Sequence, residues 1–161
     1  MSLDSNTLVA ISYDETVIIH NIVVGSQIKT FNYSNDNGLT NGGLLDVVMS
    51  SGTGNAPITE TMVHITLANG KSLICSPEQK ILIGDGKLRK SEDISTQWSI
   101  FLADGTTSQI SEITIGSYQG GAHVISTSLT PTKLMNKGNL FSANGIIVAD
   151  YALDFAGSDN Y

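Results

Sequence analysis

Apolar and polar residues alternate with a period of two along several short stretches of the chain. The alternation is clearest at 7–11, 62–67 and 110–115. Successive side chains of a β-strand point to opposite faces of a sheet, so this period indicates strands with one buried face. The pattern predicts a short helical turn at 89–95 and strands over 7–12, 16–20, 26–32, 44–50, 60–68, 71–76, 80–83, 98–102, 107–116, 122–129 and 146–149.

Turn dipeptides separate the predicted strands. Asn69-Gly70 lies between two apolar runs and is the clearest hairpin signal, because both residues tolerate a positive φ. The stretches 32–43 and 50–57 are polar and rich in glycine, and we expect both to be loops. Charged residues make up only 14% of the chain, so few long amphipathic helices are expected. These features together predict an all-β domain.

Length and charge narrow the class of protein further. The 161 residues are enough for about one domain. The net charge is −7 and the chain has eight Lys and Arg residues, which argues against a basic surface for nucleic acid. The longest apolar runs fall short of the ~18 residues that a membrane span needs. We therefore expect neither nucleic acid nor a membrane as a partner.

The cysteine and the histidines give little support to redox or metal chemistry. Cys75 is the one cysteine, so it cannot form an internal disulfide, and we expect a small buried residue in a protein of a reducing compartment such as the cytoplasm. His20, His64 and His123 lie far apart and lack metal-ligand spacing. We expect no metal and no cofactor, and we expect Trp98 to anchor the core.

Three segments resemble, in order, the sequence blocks of the intein or Hint (hedgehog/intein) family. The first comprises SLDSNTLV at 2–9 and IHNIVVGSQI at 19–28, and the second is ITLANGKSLICSPEQKIL at 65–82. The third is GNLFSANGIIVAD at 138–150. The resemblance implies a horseshoe of β-hairpins with pseudo-two-fold symmetry over residues 1–150, followed by a C-terminal flanking tail at 151–161.

The family's chemistry, as the resemblance implies it, begins at the first residue of the domain. There a Cys or Ser attacks the preceding carbonyl, helped by a Thr-x-x-His motif. Ser2 falls at the nucleophile position, Ser76 at the motif threonine and Gln79 at the motif histidine. An amide side chain donates hydrogen bonds but does not exchange a proton near neutral pH, so Gln79 departs from the pattern.

The C-terminal block departs from the family's pattern as well. In the family a terminal asparagine cyclises with help from the preceding histidine, and a following Cys, Ser or Thr accepts the migrating segment. Asp150 occupies the asparagine position, with Ala149 before it and Tyr151 after it. Ser126 falls near a later-block aspartate and Asn139 near a histidine.

The departures leave several functions open. The first is a degenerate Hint domain that does not splice and is retained as a structural or interaction module, with the flanking segments of its own precursor and another protein as partners. The second is residual self-cleavage through Ser2 with Ser76 and Gln79, and the third is an intein precursor with an altered active site. A β-rich structural domain that shares only the fold is the fourth.

Overall fold

A computed structural model describes residues 1–56 and 58–154 of the chain. These residues form mainly antiparallel strands. The strands are β1 (Leu3–Asp4), β2 (Leu8–Ala10), β3 (Thr16–Ile18), β4 (Gln27–Ser34), β5 (Gly38–Asp46), β6 (Met49–Gly52), β7 (Ile58–Leu67), β8 (Ser72–Cys75), β9 (Lys80–Leu82), β10 (Leu88–Lys90), β11 (Ser99–Phe101), β12 (Thr107–Gly120), β13 (Ala122–Ser126), β14 (Leu140–Ala143) and β15 (Ile146–Ala149). Short 3-10 turns occupy Ile19–Asn21 and Ser91–Asp93, and helix α1 covers Tyr151–Asp154. The all-β prediction is confirmed.

Two sheets carry these strands. One has the order β11-β12-β7-β8-β1-β13-β6, and the other has the order β10-β9-β15-β14-β2-β3, with β4 and β5 joined to it through β14. In the first sheet β1 lies between β8 and β13. In the second, β15 lies between β9 and β14. The pairing of β1 with β8 brings the start of the chain beside residue 76. The pairing of β14 with β15 brings residue 150 beside residue 139.

Two clusters of buried apolar side chains stabilise the sheets. The larger one joins residues of both sheets, including Val9, Ile65, Cys75 and Val148. What we call the second core cluster consists of Phe31, Leu82, Leu88, Met135, Leu140, Ile147, Ala149 and Leu153. Every residue of β14 and β15 is buried, so both faces of this hairpin are covered by the rest of the domain.

Most predicted strands are present, with shifted ends. The expected loop at 32–43 is wrong, because β4 and β5 pair from Gln27 to Asp46 and only a short turn separates them. The expected loop at 50–57 is wrong for its first residues, which belong to β6. Strand β14 escaped prediction because it is buried on both faces and therefore shows no alternation.

Two smaller expectations have different outcomes. Cys75 is fully buried, as predicted. Trp98 is not a core anchor, since 37% of its surface is exposed. It lies in a turn where its amide donates to the carbonyl oxygen of Ser95, one residue before β11 begins.

The segment after residue 150 begins with packed residues. Tyr151–Asp154 forms one helical turn that contacts β13 and β15. Ala152 and Leu153 are 3% and 0% exposed. The start of the expected tail at 151–161 therefore lies against the core, and residues 155–161 lie outside the described residues. Among the residues that are described, no helix is long and apolar enough to cross a membrane.

Candidate functional site

Ser2 and Ser76 are held side by side by the pairing of β1 with β8. Leu3 lies opposite Cys75, so the residues on either side of this pair are also neighbours. The amide of Ser76 donates to the carbonyl oxygen of Ser2 at 2.9 Å, and the amide of Ser2 donates to Oγ of Ser76 at 2.8 Å. The amino group of Met1 contacts the same Oγ and lies 3.6 Å from a carboxylate oxygen of Glu78. The hydroxyl of Ser76 therefore faces the peptide bond between Met1 and Ser2.

The chain turns sharply after Ser76. The amide of Gln79 donates to the carbonyl oxygen of Ser76 at 3.1 Å, which closes a turn. The buried hydroxyl of Ser91 lies 2.7 Å from that carbonyl oxygen and 3.1 Å from the carbonyl oxygen of Pro77. This turn fixes the direction of the Gln79 side chain.

Gln79 connects the N-terminal strands to the C-terminal hairpin. Its side chain is buried, and its amide nitrogen donates to the carbonyl oxygen of Ala149 at 2.9 Å and to that of Lys80 at 3.2 Å. The pairing of Ile81 in β9 with Val148 in β15 sets this distance. Gln79 thus binds the carbonyl group of the peptide bond that joins residues 149 and 150.

Asp150 and Asn139 face each other at the open end of the hairpin formed by β14 and β15. Leu140 is paired with Ala149, and the amide of Asp150 donates to the carbonyl oxygen of Asn139 at 2.8 Å. The side-chain amide of Asn139 donates to Oδ2 of Asp150 at 2.9 Å. Both side chains are buried, at 1% and 2% exposure.

Both carboxyl oxygens of Asp150 have hydrogen-bond partners. Oδ1 accepts from the amide of Leu153 at 3.0 Å, which makes Asp150 the N-cap of α1. Oδ2 accepts from the amide of Thr127 at 3.0 Å and lies 3.2 Å from the hydroxyls of Ser126 and Thr127. Those two hydroxyls lie closer to other acceptors, the carbonyl oxygens of Ser128 at 2.7 Å and Gly138 at 2.8 Å.

Burial raises the pKa of Asp150 above the ordinary value for an aspartate, and the hydrogen bonds from Thr127, Asn139 and Leu153 oppose that rise. The site accepts the protonated form as well. Since the hydroxyls of Ser126 and Thr127 can direct their protons to backbone carbonyls, their oxygens are able to accept a proton from Oδ2. Asp150 therefore occupies a pocket in which the neutral acid is stabilised relative to the carboxylate.

The six residues predicted from the sequence lie in two groups joined by Gln79. Ser2 and Ser76 form the first group, while Ser126, Asn139 and Asp150 form the second. Sequence reasoning missed Thr127 and Ser91, which hold Asp150 and the turn after Ser76. Both are ordinary polar residues in the sequence, and neither belongs to a recognisable motif. Of the histidines, His123 lies 2.7 Å from Oγ of Ser50 and His64 is exposed on β7.

The architecture matches that of solved inteins along nearly the whole chain. The gp41-1 intein is 21% identical with a TM-score of 0.66, covering 92% of this chain and 98% of its own. A DnaB intein from Synechocystis is 14% identical with a TM-score of 0.67, covering 92% and 97%. The bacterial intein-like domain from Clostridium thermocellum is 8% identical with a TM-score of 0.70 and the same coverage. The chain has the intein, or Hint, fold.

No protein-family model and no curated protein matches the sequence. The likeness to inteins is therefore one of fold, and a fold alone does not determine an activity. The chemistry that this domain can perform depends on the side chains at Ser2, Ser76 and Gln79 and on those at Ser126, Asn139 and Asp150. These six side chains comprise three hydroxyls, two amides and one carboxyl group, and none of them is a histidine.

Proposed function

We propose that this Hint domain does not process itself and that it serves as a folded structural or interaction module within a larger protein. In the family that it resembles, the reactive side chains move protons and attack backbone carbonyls. Here the side chains of Ser76, Gln79 and Asp150 instead form hydrogen bonds with backbone groups. The partners are then the flanking segments of its own precursor and a protein that contacts the folded domain.

The contacts of Asp150 carry this proposal. A residue that attacks its own backbone carbonyl needs a side chain that is free to reach it. Asp150 has Oδ1 bound to the amide of Leu153 and Oδ2 bound to the amides of Thr127 and Asn139. A carboxylate is also a poorer route to cyclisation than an asparagine amide. The side chain thus acts as a cap and a link between strands.

Gln79 supports the same conclusion at the other end of the site. Its amide nitrogen donates to the carbonyl groups of Ala149 and Lys80 and so holds β15 against β9. A glutamine in this position polarises a carbonyl but does not supply a proton. With alanine at position 149, the step that the family assigns to the penultimate histidine has no acid or base there.

The test is intact mass spectrometry of the domain with native flanking sequence or inert tags on both sides, sampled over one day with and without a thiol. We expect a single unchanged mass. Ser2→Ala should behave like the parent, as should Ser117→Ala, which changes an exposed serine on β12. Fragments that end at Met1 or Asp150, or a ligated pair of flanks, would overturn the proposal.

One observation favours a second candidate, cleavage at the N-terminal side through Ser2. The hydroxyl of Ser76 contacts the amide of Ser2 at 2.8 Å, so a polarising group is in place at that peptide bond. This candidate predicts slow release of the upstream flank from the parent. It also predicts that Ser2→Ala abolishes the release while Ser117→Ala leaves it unchanged.

A further inference from the structure

Residues 151–154 turn back onto the domain directly after Asp150. Residues 151–154 form the single turn of α1, and the amide of Thr132 donates to the carbonyl oxygen of Ala152 at 3.2 Å. The amide of Leu153 donates to Oδ1 of Asp150 at 3.0 Å. Two hydrogen bonds from different parts of the chain thus hold this turn.

Leu153 provides the packing that fixes the turn. Its side chain is 0% exposed and belongs to the second core cluster, with Phe31, Met135 and Ala149 among its members. Full burial of a leucine side chain stabilises the packed state, because its apolar surface is removed from water. A leucine placed three residues beyond the Hint domain's terminal position is therefore part of the domain's own core.

We propose that residues 151–153 form a clamp that holds the Asp150–Tyr151 peptide bond against the domain and keeps it closed to attack. The inference rests on the proposed function, since it gives a physical reason why the C-terminal flank stays attached. It also goes further, because it assigns residues 151–153 to the packed core of the domain.

The clamp acts on the side chain of residue 150 as well as on the peptide bond. Oδ1 of Asp150 is bound by the amide of Leu153, so any movement of the carboxyl toward its own backbone carbonyl has to break that bond. It also has to separate Oδ2 from the amides of Thr127 and Asn139. The clamp must open before the side chain can reorient.

Amide hydrogen exchange in the full chain tests the clamp directly. We expect the amides of Leu153 and Thr132 to be protected in the parent. In Leu153→Ser both should exchange about tenfold faster or more, because local opening no longer exposes a buried leucine. The amide of Val148 in β15 should keep its rate and so report that the core is intact. Leu134→Ser, at a leucine that is 57% exposed, is the matched control and should change neither clamp amide.

A protease that cuts after aspartate gives the second measurement. The bond after Asp150 should resist cutting in the parent and be cut about tenfold faster or more in Leu153→Ser, with no change in Leu134→Ser. Thr132→Pro removes the N–H that donates to Ala152 and should open the clamp without altering the core.

Unprotected exchange at Leu153 in the parent would overturn the clamp, whatever the variants do. So would equal cutting after Asp150 in the parent and in both clamp variants. These readouts do not depend on self-processing. A precursor that cleaves itself while the Leu153 amide is protected would refute the proposed function alone, and an unchanged precursor with an unprotected Leu153 would refute the clamp alone.

Discussion

The side-chain amide nitrogen of Asn139 lies 2.9 Å from Oδ2 of Asp150, across the open end of the hairpin that β14 and β15 form. Asn139 uses its nitrogen for this bond, while its Oδ1 is buried and has no hydrogen-bond partner. The pair therefore has one acceptor without a donor, next to a carboxyl group that burial drives toward its neutral form. This arrangement makes the stability of the domain depend on the protonation of Asp150.

We expect the free energy of unfolding to gain a destabilising contribution from Asp150 as the pH rises above about 4. The pKa of Asp150 is raised in the folded state, so the native protein binds more protons than the unfolded chain between the two pKa values. Stability then falls as the pH increases through that window. Urea unfolding measured at closely spaced pH values in the parent and in Asp150→Asn checks this.

Asp150→Asn should remove that contribution. An inverted Asn139 amide can present its Oδ1 to the new side-chain nitrogen. That nitrogen also faces the amide of Thr127, a donor that loses its acceptor, so the variant should be less stable than the parent while losing the pH dependence. Intact mass in the same samples shows whether the asparagine cleaves. Identical pH profiles for the parent and the variant would contradict the assignment.

His123 should give the opposite slope at higher pH. Burial, and after it the neighbouring charge of His20, lowers the pKa of His123, and its Nδ1 is buried without a hydrogen-bond partner. The unfolded chain therefore binds more protons below about pH 6.5, and stability is lost as the pH falls through that value toward the lower folded pKa. His123→Gln should make the unfolding free energy less dependent on pH between about 7 and 5. A slope that persists in the variant would assign the effect to another group.

The sequence alone predicts most of the strands, including β9 and β15, which are buried throughout, but it misses β10 and β14. β7 alternates between buried and exposed residues and was predicted closely, whereas β14 is buried throughout and carries no period. β5 contains three glycines and three exposed polar residues, so its pairing with β4 comes from tertiary contacts rather than from its own preference.

The candidate site was found through the order of three sequence blocks, not through local chemistry. Ser76 and Gln79 stand in a recognisable block, and the structure places them beside Ser2 and Ala149. Thr127 could not be predicted, because its shorter contact with Asp150, at 3.0 Å, is made by a backbone amide. A backbone donor leaves no signature in the side chain.

Gly121→Ala should destabilise the domain, whereas Gly116→Ala should not. A Cβ at position 121 would collide with the backbone carbonyl oxygen of Gly54 and with Oγ of Ser5. Relieving the first collision requires a shift of the backbone, which costs free energy. We expect a loss of about 1–3 kcal/mol in the free energy of unfolding. A Cβ at position 116 meets open space, so alanine there should be neutral or stabilising by about 0.5 kcal/mol. Urea unfolding of both variants would contradict this reading if the two values were equal.

Asn144 should be far more sensitive to substitution than Asn69, which occupies the same position in another Asn-Gly turn. It has a positive φ of 53°, its Oδ1 accepts from the amide of Leu8 at 2.8 Å, and its Nδ2 donates to the carbonyl oxygen of Ser72 at 3.0 Å. One side chain thus links β2 and β8 to the turn between β14 and β15. Asn69 has Oδ1 bound only within its own turn, to the amide of Lys71.

Asn144→Asp replaces the Nδ2 donor by an oxygen that faces the carbonyl of Ser72, and we expect it to cost about 1–3 kcal/mol. Asn69→Asp keeps its acceptor and is exposed, so it should cost less than about 0.5 kcal/mol. Urea unfolding of the two variants measures both losses under the same conditions. Because each variant adds one negative charge at an Asn-Gly turn, the comparison separates the lost link from the effect of charge. Equal losses would mean that Asn144 stabilises its own turn and does not join the strands.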